Sequence, residues 1–311
     1  MDNGLDLQQT VKALLAANKT GEAESIVQRW LDEGGEARVG SGILATIFSH
    51  AGRYADAEKL YSDLSAVEPL GVSLEHNRAT NLIDGGIDGA WGSNRASRIR
   101  EATETLQRLI AEDPRFFTAH YNLANAFAAI GNHEESRAHL HFALDGGETP
   151  EALVNLANTY RTLHRFSEAI DLYVAALRIR RDHDMAWANL ADGFCHAYFQ
   201  TAGKFPHLLV LAEICCRRSL DSYDGQSRAQ MAVQGARAFI QNHGMSDVST
   251  ATLRAWESWF ELPAEGPNCS TSIRFAPWRQ LDLRDPAPSV VGLLPQFFPL
   301  RFSTAPAVPP F

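Results

Sequence analysis

The sequence predicts an all-α fold, a stack of helical hairpins followed by an extended, proline-rich C-terminal tail. Three observations carry that reading. Asn122-Leu-Ala-Asn-Ala-Phe127, Asn155-Leu-Ala-Asn-Thr-Tyr160 and Asn189-Leu-Ala-Asp-Gly-Phe194 repeat one another at steps of 33 and 34 residues. At such a period each unit is one supersecondary element, which buries its apolar face only against its neighbours. Apolar residues recur with helical spacing over most of the chain, so the repeating element is a pair of helices. Ten of the 14 prolines fall at or after Pro263, and the other four (Pro69, Pro114, Pro150, Pro206) stand where helices start or stop. The boundary this sets divides a helical body, residues 1–262, from a tail, residues 263–311.

Taken in order, the body gives about seven helix pairs. Residues 5–17 pair with 22–31, and 40–51 with 54–67. Pro69 to Pro114 spans 45 residues where about 34 are expected, so the third pair carries an insert of about eleven. Its place is 84–94, rich in glycine (Gly85, Gly86, Gly89, Gly92), with Trp91 expected to be exposed among them. Thr149, Pro150 and Glu151 read as N-cap, first helical residue and an acid near the positive helix end. The pair starting at Asp184 has its helices separated by residues 199–206, and Leu208-Leu-Val-Leu-Ala212 is too short to cross a bilayer and reads as a buried helix. Residues 226–242 and 248–261 form a last, irregular pair suited to capping the stack.

Within the second pair, Leu44, Ala45, Phe48, Gly52, Tyr54, Ala57, Tyr61, Leu64 and Pro69 fall at the offsets of the tetratricopeptide pattern. The same offsets recur in Leu123, Ala124, Phe127, Gly131, Leu140 and Ala143, in Leu156, Ala157, Tyr160, Phe166, Ala169, Tyr173 and Ala176, and partly in Trp187, Leu190, Ala191 and Phe194. On these residues the chain resembles a tetratricopeptide repeat protein, well over 38–221 and weakly at both ends. The resemblance implies a solenoid of helical hairpins that acts as a non-enzymatic adaptor, binding an extended peptide or protein partner in its concave groove. The alternative is a dedicated accessory subunit of an enzyme complex that docks its partner through the tail.

The candidate site is a row of asparagines. With the insert removed, Asn77 takes the same repeat position as Asn122, Asn155 and Asn189. In the resembled family that position lies on the first helix of each pair and faces the groove. A side-chain amide offers both a donor and an acceptor, which suits the backbone of an extended peptide. Asn125, Asn158 and Asp192 lie one helical turn onward on the same face, and Arg161 is the only basic candidate nearby. Family members that hold C-terminal carboxylates add several basic residues on neighbouring first helices. Tyr121, Val154, Met185 and Asn189 occupy those places, which argues against a carboxylate clamp.

Charge and composition narrow the partners. The net charge is −9 overall, with four Arg against three acids in the tail, so the body is the acidic part and repels phosphate backbones. Nucleic acid is therefore not an expected partner. No apolar run is long enough for a membrane span, and the start lacks the features of a secretory signal, so a cytoplasmic protein is expected. Cys195, Cys215, Cys216 and Cys269 show no metal or disulfide spacing. His133, His139 and His141 are read as solvated, and Cys195 beside His196 as a packing residue. No cofactor, metal or catalytic residue is expected. The tail holds Trp278, Phe297 and Phe298, anchors for docking on the chain's own solenoid or on a partner.

Overall fold

The structure, a computed structural model, describes residues 3–200, 207–221 and 229–242. The expectations for 201–206, for 248–261 and for the tail with Trp278, Phe297 and Phe298 lie outside these residues. The described residues hold thirteen α-helices and no strand. They belong to two compact units, Met1–Gly146 and the part from Gly147 on. In the first unit, α1 (Asn3–Ala16) pairs with α2 (Thr20–Asp32), α3 (Ala37–His50) with α4 (Tyr54–Val67), α5 (Val72–Ile87) with α6 (Arg95–Glu112), and α7 (Phe117–Ala129) with α8 (His133–Asp145). In the second, α9 (Pro150–Thr162) pairs with α10 (Phe166–Ile179) and α11 (Asp184–Gln200) with α12 (His207–Asp221), and α13 (Ala229–Asn242) packs on both α11 and α12. Within each unit the first helices also touch one another, α1 with α3, α3 with α5, α5 with α7, and α9 with α11, so they form one layer.

Small residues set the approach of the helices. Ala45, Ala57, Ala124, Ala157, Ala169 and Ala191 are all fully buried, and large side chains such as Tyr61, Leu123, Leu156 and Tyr173 fill the space between. The apolar run Leu208–Ala212 on α12 is buried on every side. Thr149 caps α9 as its sequence indicates, its Oγ1 accepting from the Ala152 N–H at 3.2 Å with Pro150 at the first helical position.

Each tight turn between paired helices is built alike. Gly52 and Gly131 take positive φ, +73° and +82°. The N–H of the following residue reaches back to the carbonyl five residues earlier, Arg53 to Phe48 at 2.8 Å and Asn132 to Phe127 at 2.9 Å. This Schellman closure needs a left-handed residue, which favours glycine. Asn18 and His164 hold the same place with φ +57°, and Lys19 and Arg165 close on Leu14 and Tyr160.

The insert differs from expectation at Trp91, which is half-buried rather than exposed. Its indole N–H donates to the Leu82 carbonyl at 2.8 Å, and its ring lies on Gly85, where an added Cβ would come within 2.6 Å of it. The glycines therefore make a seat for the ring instead of a loop. Part of the extra length also lengthens α5 and α6 to 16 and 18 residues. Arg95, at the start of α6, donates to the Gly86 carbonyl and to the Ala129 carbonyl, both at 2.8 Å, and so joins the C-terminal ends of α5 and α7.

Candidate functional site

The row of amides lies on first helices, where it bonds one helix to the next. Asn77 on α5 donates from Nδ2 to Thr46 Oγ1 on α3 at 3.3 Å, and Asn122 on α7 donates to Thr80 Oγ1 on α5 at 2.7 Å. In the second unit Asn189 on α11 donates to Asn158 Oδ1 on α9 at 3.0 Å. The sequence separations are 31, 42 and 31 residues. The pairing is thus the same in each case, and the extra eleven in the middle bond is the insert, which the register absorbs.

Each acceptor sits three residues after the amide position on its own helix, one turn onward. Sequence reading placed Asn125, Asn158 and Asp192 there and missed Thr46 and Thr80, which are their counterparts. The shared offset was the signal. The threonine hydroxyls accept the amide hydrogens and donate to their own helix, Thr46 to the Gly42 carbonyl at 3.1 Å and Thr80 to that of His76 at 2.9 Å.

His76 is the other residue that sequence reading missed. Its Nδ1 lies 3.4 Å from Asn77 Oδ1, and its Nε2 lies 3.0 Å from Asn122 Nδ2. The ring also bonds the Thr118 main chain of α7, so it stands between the two amides and a main-chain group. Burial lowers the His76 pKa below its usual value, against smaller opposing contributions from Asn77 and the Thr118 main chain. Thr46, Asn77, His76, Asn122 and Thr80 are thereby one hydrogen-bonded chain across α3, α5 and α7.

In the second unit, Asn158 Oδ1 also accepts from the buried Tyr173 hydroxyl at 2.5 Å. Burial raises the Tyr173 pKa, which keeps that hydroxyl a donor. Arg161 Nη1 donates to Asp192 Oδ2 at 3.1 Å, so the one basic candidate is paired across α9 and α11. His196 Nε2 stands 3.6 Å from Asp192 Oδ1, its ring stacked on Phe166. Asn125 and Asn155 are half-buried on α7 and α9. Asn122, at 9 % exposed, is the most buried of the row.

Two further expectations meet the structure differently. His139 is not solvated. Its Nδ1 lies 2.9 Å from Nδ1 of the buried His120, and its ring stacks on Phe127. The cause is His120, which α7 brings opposite, with Nε2 directed at the Pro114 carbonyl 3.2 Å away. His133 is half-buried and His141 exposed. Cys195 is a packing residue as expected, buried with its Sγ 3.9 Å from the Ala236 carbonyl. Burial raises the thiol pKa of Cys195, of Cys215, and of Cys216 to about 12, which leaves them as unreactive thiols. No described helix is long and apolar enough to cross a membrane.

Residues 115–182 match the tetratricopeptide repeat family. Among solved structures, the chain is similar to a thermophilic tetratricopeptide repeat protein of Thermus thermophilus, with 19% identity and a TM-score of 0.54, over 61% of this chain and 98% of that one. It also matches MamA from Desulfovibrio magneticus at 14% identity and TM-score 0.42, over 59% and 98%. A tetratricopeptide protein from Cytophaga hutchinsonii matches at 12% and 0.44, over 78% and 96%. No curated protein matches. Hairpin repeats of this kind present surfaces for protein–protein interaction. With the matched segment, the recurring alanine contacts and the repeated first-helix register together, the chain carries tetratricopeptide repeats over residues 115–182 and has the helical-hairpin fold of such repeats.

Proposed function

We propose that the protein is a non-enzymatic adaptor whose first-helix row receives an extended peptide or protein segment. The residues assigned to this seat are Asn77, Asn122, Asn125, Asn155, Asn158, Arg161, Asn189 and Asp192. One observation carries the reading. The same amide recurs at the same repeat position and takes the same neighbour, in Asn77 with Thr46, Asn122 with Thr80 and Asn189 with Asn158. Within each unit, like groups spaced one per repeat complement a peptide backbone, whose own groups repeat regardless of side chain. Pairing of Arg161 with Asp192 leaves the second-unit part of the row without net charge, which favours main-chain over charge-based recognition.

The test begins with the full chain probed on an array of extended peptides. For the tightest array peptide, replacing Asn155 and Asn189 by Ala is expected to weaken affinity about tenfold, with circular dichroism unchanged. Equal affinity in the folded double variant would overturn the proposal.

A further inference from the structure

We propose that the outer face of α10 and α12 is the seat of the chain's own C-terminal tail, residues 263–311. The inference goes beyond the adaptor reading and does not depend on it. Its starting point is the phase of the second helices. Each has a small residue buried against its own first helix, Ala57 on α4, Ser136 on α8, Ala169 on α10 and Ala212 on α12, with counterparts on α2 and α6. The positions two before, two after and six after this residue stand one above another on the opposite side of the helix.

In α2, α4, α6 and α8 every one of these outward positions is exposed, Lys59 and Asp63 on α4 and Ala138 and Phe142 on α8 among them. In α10 and α12 the pattern inverts. Asp171 and Ala175 on α10 are 9% and 5% exposed, and Val210 and Ile214 on α12 are both 0%. Arg218, the third outward residue of α12, is exposed again, so the cover ends between it and Ile214.

The helices on which α10 and α12 pack lie on their other sides. α10 meets α9 through Tyr173, whose hydroxyl reaches Asn158, and α11 through Ile170, which lies over Gly193. α12 meets α11 through Ser219, which donates to the Asp184 carbonyl, and α13 through Cys216, 4.0 Å from the Val233 carbonyl. Apolar side chains buried completely on the remaining side need other atoms packed on them.

Reach and composition select the tail. Residues 201–206 are tied to the ends of α11 and α12 that they join, whereas Ala175 lies toward the opposite end of α10. Residues 222–228 leave α12 beyond the exposed Arg218. By the repeat order 248–261 would stand beside α13, with α12 between them and α10. The tail, at about 3.3 Å per extended residue, has a reach on the order of 100 Å, and neighbouring helices are about 10 Å apart. It brings Trp278, Phe297 and Phe298 to pack on Val210, Ile214 and Ala175. Its ten prolines have no N–H to leave unpaired on an apolar face, and its four Arg complement the Asp171 carboxylate. A tail seated here is withheld from other chains.

Two experiments on the full chain test this. In the first, photo-reactive benzoylphenylalanine replaces Ile179, exposed at the rim of the strip four residues after Ala175, and the cross-linked peptides are identified by mass spectrometry. Capture of peptides from 263–311 of the same molecule is expected, and no such capture from the same group at Ala138. Capture only of 201–206, 222–228 or 243–262, of a second copy, or of nothing would overturn the proposal. The second follows trypsin cleavage after Arg274, Arg279, Arg284 and Arg301. Ala175→Glu is expected to speed cleavage in the tail about tenfold, and Ala138→Glu to leave it unchanged. Equal rates in wild type and Ala175→Glu would overturn the seat. If Ala175→Glu loses helical circular dichroism, Ile179→Glu at the rim takes its place with the same expected and overturning results.

Discussion

At the scale of single residues, Asn77, Asn122 and Asn189 each bond to the first helix of the preceding repeat. Asn122 was readable as a first-helix amide, and its depth was not, because depth depends on Thr80 and His76, which lie 42 and 46 residues away. Replacing Asn122 by Ala removes its bond to Thr80 Oγ1 and its contact with His76 in a buried setting, so urea unfolding should show a loss of about 1–3 kcal/mol. An exposed polar change would cost about 0.5 kcal/mol or less. His76 itself has a lowered pKa, so the native state resists its proton while the unfolded chain accepts it near 6.5. Its contribution to stability is therefore present above that range and lost as pH falls below it.

At the scale of the element, α5 carries a second titrating group of opposite sign. Burial, and next the neighbouring Asp88, raise the Asp84 pKa from 3.8 to about 6. The native state takes up this proton before the unfolded chain does. Asp84 thus weakens the fold above about pH 6, and the penalty lifts as pH falls toward 3.8. Asp84→Asn should raise the melting temperature at pH 7.5, with the advantage closing in acid. A melting temperature unchanged at pH 7.5 would place Asp84 in ordinary solvent. The insert on the same helix also shows where sequence reading stops. Glycine richness signals a loop, and only the fold shows that Gly85 makes room for Trp91. Gly85→Ala should cost about 1–3 kcal/mol, because the new Cβ would lie 2.6 Å from the ring. Gly235→Ala on α13 meets nothing within 4 Å and should stabilise by about 0.5–1 kcal/mol.

For the molecule as a whole, the repeat was legible because it is written in local terms: alanines where helices meet, a left-handed residue at each tight turn, and a fixed step. Ala157 and Ala169 are fully buried as their positions implied, so Leu at either should overpack the interface by about 1–3 kcal/mol in thermal melts. His164 occupies a turn that Gly52 and Gly131 fill in other repeats, at φ +57°. Exchanging it for Gly should relieve backbone strain and raise stability by about 0.5–1 kcal/mol. The histidine pair, the seat of Trp91 and the His76 chain were illegible for one reason, which is that each is made by side chains from different helices meeting in space. Arg95 belongs with them: its guanidinium ties the C-terminal ends of α5 and α7, so two successive repeats share one clasp that neither makes alone, and a change at this single side chain would be felt by both.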